Sequence, residues 1–135
     1  MTLQYSVAVR NAQLDAIETV IGASAVLKIR TGAPPANVAA ADSGTVLATL
    51  NLPADWMAAA AAGSKAKSGT WEDASADNAG TAAHWRLYAS DGTTCHAQGT
   101  VTATGGGGDM TVDNVSFAAG QQFTVTSFTI NAGNA

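Results

Sequence analysis

The sequence predicts a mainly β protein: a jelly-roll-like antiparallel β-sandwich with an N-terminal helix and one short Ala-rich helix. Three observations carry that expectation. From residue 24 onward the hydrophobic period is two, the spacing of a half-buried strand. About seven short alternating runs follow one another at intervals of roughly ten residues, with Gly, Pro, Asn and Asp turn signals between them. Asp91-Gly92 stands between two such runs, as in a two-residue hairpin. The 135 residues fit a single domain, 1–135, with the helix at 6–21 and the sandwich over 24–131.

The helix is expected over 6–21 because Val7, Leu14, Ile17 and Ile21 fall on one stripe, with Ser6 placed to cap it and Gly22 to stop it. In AVLKIRT (25–31), Leu27 and Ile29 share one strand face and Lys28 and Arg30 the other. Residues 32–44, GAPPANVAAADSG, are too rich in Pro, Ala and Gly for a regular element. TVLATLNL (45–52) is apolar on both faces, which predicts a central strand ended by Pro53. ADWMAAAAAG (54–63) reads as the short Ala-rich helix, anchored by Trp56 and Met57. Residues 63–81 read as loop around one short strand near Ser68–Glu72. The hairpin follows, with HWRLYAS (84–90) and TTCHAQGTVTAT (93–104) as its arms and a type I′ turn at Asp91-Gly92. The tetraglycine 105–108 is a turn or hinge. DMTVDNVSF (109–117) and QQFTVTSFTIN (121–131) close the β series. In the last strand Phe123, Val125, Ser127 and Thr129 face one way, and Thr124, Thr126, Phe128 and Ile130 the other. TVTSFTI (124–130) has no charge and no Pro, so its edges must be paired or covered.

Composition narrows the function. Thirty of the 63 apolar residues are Ala, and Leu, Ile, Val and Phe together number 24, so the expected core is thin. The net charge of −4 and the lack of any basic run argue against a nucleic-acid platform. No apolar run approaches the ~20 residues that span a bilayer. The start, MTLQYSVAVRNAQLDA, has no basic stretch leading into an apolar one, and the lone Cys95 has no disulfide partner, so synthesis in a reducing cytoplasm is expected.

Reactive groups are sparse. Cys95 and His96 are strand neighbours and point to opposite faces, and His84 is the other candidate base. Glu72, Asp73 and Asp77 form one loose carboxylate group and Asp109 and Asp113 another; each reads as solvated rather than as a hydrolytic pair or calcium site. The tetraglycine lacks the Lys-Ser/Thr of a phosphate loop, since Asp109 follows it. No catalytic, cofactor-binding or metal-binding residue is expected. Trp56, Trp71, Trp85, Tyr5 and Tyr88 are candidate sugar-stacking rings, although most are expected in the core. Charge is asymmetric: residues 1–67 carry five basic and four acidic side chains, residues 68–135 one basic and six acidic. A small basic patch with Lys28 and Arg30 on one strand face, joined by Lys65 and Lys67 if that segment is extended, would suit docking onto a protein of opposite pattern.

The order of segments is itself informative. AVLKIRTGAPPANVAAADSGTVLATLNLP (25–53) is a strand ending in Thr-Gly, a Pro/Ala loop, Gly-Thr-Val-Leu-Ala and an apolar strand. It is followed by AGTAAHWRLYASDGTTCHAQGTV (79–101), GGDMTVDN (107–114) and AGQQFTVTSFTI (119–130). This arrangement resembles the head cement, or decoration, proteins of short-tailed phages. The resemblance implies a jelly roll on the outer surface of the capsid that clamps neighbouring major capsid proteins, with no enzymatic activity and no cofactor. The implied partners are the major capsid protein and a second copy of the chain, a dimer being favoured over a trimer by symmetry, with no nucleic acid and no membrane. Charge alone nominates Arg10, Lys28, Arg30 and Arg86 as capsid contacts. The competing expectations are a tail or fibre-adaptor component of the virion and a carbohydrate- or cell-surface-binding module.

Overall fold

A computed structural model describes residues 2–133. Among these residues one helix, α1 (Val7–Ile21), precedes eleven strands: β1 (Val26–Arg30), β2 (Val46–Asn51), β3 (Ser64–Ala66), β4 (Trp71–Asp73), β5 (Gly80–Thr81), β6 (His84–Tyr88), β7 (Cys95–Ala103), β8 (Met110–Val112), β9 (Ser116–Phe117), β10 (Phe123–Val125) and β11 (Thr129–Asn131). Five strands make one curled sheet in the order β2-β1-β6-β7-β8, and the others pair as ribbons β10-β4, β11-β3 and β5-β9. The fold is mainly β, as the period-two pattern predicts.

The caps of α1 are those read from the sequence. The Ser6 side chain accepts a hydrogen bond from Val9 N–H (3.2 Å), and Gly22 N–H donates to Glu18 O (2.9 Å) with Gly22 at φ +90°. The stripe seats less fully than expected. Leu14 and Ile21 are buried and Ile17 packs against the core, but Val7 stands in solvent.

The segment 54–63 is not a helix. It is irregular, with antiparallel bridges Met57↔Lys67 and Ala61↔Ser64 and a turn at Ala62-Gly63 that leads into β3. A ten-residue helix is marginal without tertiary packing, and the Ala side chains offer little to pack. The backbone groups find partners elsewhere: Ala58 N–H donates to Ala66 O (2.8 Å), Ala60 N–H to the Asp15 carboxylate (3.0 Å) and Gly63 N–H to Asn11 Oδ1 (2.9 Å).

The strand β2 lies at the sheet's edge, not at its centre. Its edge is nonetheless covered, by the end of β4 and the loop after it. Thr49 N–H donates to the Asp73 carboxylate (2.9 Å), Asp77 N–H to Leu47 O (2.7 Å) and the Asn78 amide to Val46 O (2.9 Å). The edge therefore presents few free backbone groups.

The 84–104 hairpin forms, but not with a type I′ turn. That turn needs positive φ at both central residues, and only Gly92 (φ +71°) has it. Residues 90–93 instead make a longer loop closed by Ala89 N–H on Thr94 O (3.0 Å). The Asp91 carboxylate organises it, accepting from Thr93 N–H and Thr94 N–H (2.9 Å each) and the Thr94 hydroxyl (2.5 Å).

The expectation of an all-antiparallel sandwich fails at β7 and β8, which pair in parallel, Val101↔Met110 to Ala103↔Val112. Parallel neighbours usually need a crossover of a dozen or more residues; here the tetraglycine makes the return within residues 104–109. It does so by lying against Thr102: a Cβ at Gly106 would sit 2.7 Å from Thr102 Cβ, and one at Gly108 2.9 Å from Thr102 Cγ2. Gly106→Ala is therefore expected to cost about 1–3 kcal/mol by overpacking; urea unfolding checks this against Gly133→Ala, where the added Cβ meets nothing.

The C-terminal run divides into β10, paired with β4, and β11, paired with β3. The single alternation expected over 121–131 breaks there. Phe123 and Val125 are buried and so is Phe128, from the opposite phase, because the chain leaves strand geometry between the two elements. The core joins the sheet to the ribbons through a chain of rings. Trp85 meets Phe128 edge-on (5.5 Å), Phe128 meets Trp71 (5.7 Å) and Trp71 meets Trp56 (6.0 Å).

Candidate functional site

The antiparallel register of β1 and β6 sets Lys28 opposite Arg86, Arg30 opposite His84 and Val26 opposite Tyr88. Leu27, Ile29, Trp85 and Leu87 belong to the core. The other face therefore gathers Lys28, Arg30, His84, Arg86 and Tyr88, and like charges set opposite each other on a sheet repel. The strap 32–44 lies over this face and resolves the conflict.

Asp42 is the hub. Its Oδ1 accepts from Arg86 Nη1 (2.6 Å) and the Tyr88 hydroxyl (2.6 Å), and its Oδ2 from Arg30 Nη2 (2.9 Å). Arg86 also donates to Val38 O (2.7 Å), Ala40 O (3.1 Å) and, through Nε, to Cys95 Sγ (3.1 Å). His84 Nδ1 lies 2.7 Å from Gly32 O, and Gln98 Nε2 donates to Pro35 O (2.7 Å). The strap is thus tied at Gly32, Pro35, Val38, Ala40 and Asp42. It leaves β1 through Gly32 (φ +76°) and rejoins β2 through Gly44 (φ +71°), where a Cβ would stand 2.0 Å from Thr31 O.

Burial raises the Asp42 pKa, but the Tyr88 hydrogen bond and the Arg30 and Arg86 charges outweigh it and hold the carboxyl below its ordinary value. Burial, then the bond to Asp42, pushes Tyr88 up to about 12. Burial lowers the His84 pKa; the Gly32 carbonyl opposes this, while Arg30 and Arg86 add to it. A carbonyl only accepts, so Nδ1 carries the proton of the neutral ring, and Nε2 is buried without a partner. Two acid limbs are expected. Stability is full above the ordinary His value of 6.5, falls as pH drops from there toward the lower folded pKa of His84, and falls again below 3.8 as Asp42 protonates. Urea midpoints across pH, with His84→Asn abolishing only the first limb, check this.

The basic patch expected from charge is not a surface patch. Arg30 and Arg86 are only 6% and 1% exposed, enclosed by the strap. Lys28 Nζ donates to Gly92 O (3.1 Å) and lies 4.9 Å over the Tyr88 ring. Arg10 Nη1 donates to Ala132 O (3.2 Å). Lys65 is buried, and Lys67 donates to Gly69 O (2.7 Å) beside the Trp71 ring.

The other candidates are also built into the fold. The Cys95 thiol meets Arg86 rather than a histidine. Asp109 accepts from Thr100 N–H (2.9 Å) and its hydroxyl (3.1 Å), and Asp77 from the Thr49 hydroxyl (2.8 Å). No group of three or more metal-ligand side chains occurs among the described residues. Trp56, Trp71, Trp85 and Tyr88 are buried, and Tyr5 is partly exposed.

Sequence reasoning missed Asp42. The available signal was that Asp42 is the sole acid between Glu18 and Asp55, set in a loop beside a strand with cations at alternate positions. It also missed a concentration of exposed apolar side chains near the N-terminus: Leu3, Tyr5, Val7, Val9 and Val20. No protein-family model matches this chain, and no curated protein or solved structure gives a match to it.

Proposed function

We propose that this chain is a virion structural protein that binds the outer surface of a phage capsid and cements neighbouring major capsid proteins, acting without catalysis and as a jelly-roll-like sandwich. The reading rests on the resemblance of residues 25–53 and the later segments to head cement proteins. The observation that carries it is the strap 32–44, which lies inside that stretch. A thirteen-residue irregular loop is ordinarily mobile, and ordering it on binding costs free energy. This strap is already fixed by five ties from the sheet beneath, and it presents Ala33, Ala36, Val38, Ala39 and Ala41 outward with no charge between Thr31 and Ala41. A rigid, small-residue, uncharged surface can approach a protein lattice closely at little entropic or desolvation cost. Lys28, Arg30 and Arg86 then serve the contact from behind, as braces, and many weak copies on one shell hold multivalently.

The test is mass-based stoichiometry of purified virions, followed by rebinding of the chain to heads stripped of it. Hundreds of copies per particle, weakened rebinding by Val38→Glu and fragile stripped heads are expected. Tens of copies or fewer would place the chain in the tail or a fibre adaptor. Particles without the chain would overturn the virion reading altogether.

A further inference from the structure

The run TVTSFTI (124–130), without charge or Pro, has a strand on one side only where it enters β10. Among the described residues β10 pairs with β4 alone, through Phe123↔Asp73, Thr124↔Glu72 and Val125↔Trp71. Alternate residues of an antiparallel strand turn their N–H and C=O groups to the same edge. Gln122 and Thr126, two positions to either side of Thr124, are exposed and make no backbone hydrogen bond among the described residues. The phase Gln122, Thr124, Thr126 therefore faces away from β4 and offers unpaired donors and acceptors to solvent. Proteins blunt such an edge with Lys, Pro or a bulge; here no charged residue and no Pro follows Asp113 in the sequence.

A cleft of about 360 Å³ follows this edge. All three residues of the outward phase line it, and Asp113 and Asn114, from the turn between β8 and β9, line it as well. Charge decides what fits there. Each of the six Lys and Arg side chains of the protein donates a hydrogen bond within its own chain. The carboxylates of Glu72 and Asp113, in contrast, meet no donor among the described residues. Glu72 is the cross-strand neighbour of Thr124, and Asp113 shares the cleft with it. The open edge is thus framed by two unpaired acids, and the chain has no uncommitted cation to give them.

We propose that this edge receives an extended segment of another protein, with Lys or Arg at alternate positions and no Pro, which adds a strand to β10. Main-chain hydrogen bonds to residues 122–126 hold the segment, as in other cases of strand addition. Its basic side chains, on the Thr124 face, meet Glu72 and Asp113. Opposite charges on neighbouring strands stabilise and like charges repel, so the same acids turn acidic segments away. They also disfavour a second copy, whose own β10 edge would bring two more carboxylates to the same place. The inference goes beyond capsid binding and holds whether or not the partner is a shell protein.

The experiment is titration of the full, isotope-labelled chain with a short capped peptide alternating Lys and Val, followed through backbone amide shifts at low ionic strength. A Glu-Val peptide and a Lys-Pro peptide, the latter equal in charge but unable to form a strand, are run beside it. Submillimolar binding is expected for the Lys-Val peptide alone, with shifts confined to residues 122–126 and their neighbours Asp113 and Asn114. Asp113→Asn/Glu72→Gln should bind it about 10-fold more weakly. Thr124→Lys, at an exposed position, should not bind it at all, with an unchanged far-ultraviolet spectrum. No shift with the Lys-Val peptide, shifts elsewhere, equal binding of the Lys-Pro peptide, or binding undiminished in Asp113→Asn/Glu72→Gln would each overturn the proposal. Shifts at 122–126 on concentrating the chain alone, lost in Thr124→Lys, would assign the edge to a second copy and overturn it as well.

Discussion

Asp42→Ala is expected to lower the unfolding free energy by about 3 kcal/mol and to free the strap 32–44. Breaking a buried ion pair by removing one partner typically costs 3–5 kcal/mol, because the other charge stays behind unpaired. Here two guanidiniums stay behind, with side chains 8% and 1% exposed, together with the Tyr88 hydroxyl. The Asp42 side chain itself is 39% exposed, so water reaches the site and the lower end of that range applies. Arg86 keeps the Val38 and Ala40 carbonyls, which limits the loss further. Asp42→Asn keeps acceptor geometry at one oxygen but removes the charge, and should fall between. The measurement is urea unfolding together with amide hydrogen exchange. The strap amides, Ala40 N–H among them, should exchange faster at unchanged protection of β6. A loss under 1 kcal/mol with strap protection intact would mean that Asp42 is not the latch. On the capsid reading the variant should also bind stripped heads more weakly than Val38→Ala, although the strap's outward side chains are unchanged, because ordering a loosened strap costs entropy.

What could be read from the sequence was what local chemistry decides. The caps of α1 at Ser6 and Gly22, the exit of β1 at Thr31-Gly32 and the hairpin of β6 and β7 each depend on residues close in sequence, and each is present. What could not be read depends on distant partners. Ala58–Ala61 accept either helix or extended backbone, and the choice fell to Asp15 and Asn11, some fifty residues away, as well as to β3. The edge position of β2 was hidden because its cover comes from the Asp73 side chain at the end of β4 and from Asp77 and Asn78, rather than from a paired strand. Lys28 and Arg30 show the same alternation whether their face meets water or a strap. Only Asp42, Tyr88 and the strap carbonyls, brought in by tertiary structure, show that the face is covered. The parallel pairing of β7 and β8 runs against the usual crossover length. It rests on glycines whose close approach to Thr102 no periodicity reports.

Neutralising the acids that hold Lys65 should cost more than removing Lys65 itself. The ammonium has three donors and three acceptors: Asp15 Oδ1 (2.7 Å), Glu18 Oε2 (2.8 Å) and Ala58 O (2.9 Å). It ties α1 to β3, with its own side chain 2% exposed and those of Asp15 and Glu18 48% and 22%. Burial lowers the Lys65 pKa, but the hydrogen bonds it donates to Asp15 and Glu18 outweigh this and leave it raised. In Lys65→Met the two carboxylates turn to water and the stem's packing is kept, so about 1–2 kcal/mol is expected. In Asp15→Asn/Glu18→Gln the shape, and acceptors for Ala60 N–H and the ammonium, remain, but a buried cation is left with neutral acceptors only, and a loss larger than that of Lys65→Met is expected. The pH dependence separates the two mechanisms. In the native chain the folded state holds the Lys65 proton longer than the unfolded chain does, so stability declines as pH rises above 10.5, in the same direction as the decline from Tyr88 between 10 and about 12. In the double variant desolvation is no longer opposed, the folded pKa falls below 10.5 and the slope reverses, so that stability rises with pH on approach to that value. A urea midpoint near pH 11 measures the decline of the native chain, and midpoints at pH 7 and pH 10 the reversed slope of the double variant. A double variant no less stable than Lys65→Met, or one whose midpoint stays flat between those pH values, would show that the helix is held by Ile17 and Ile21 packing and that the ion pairs only decorate it.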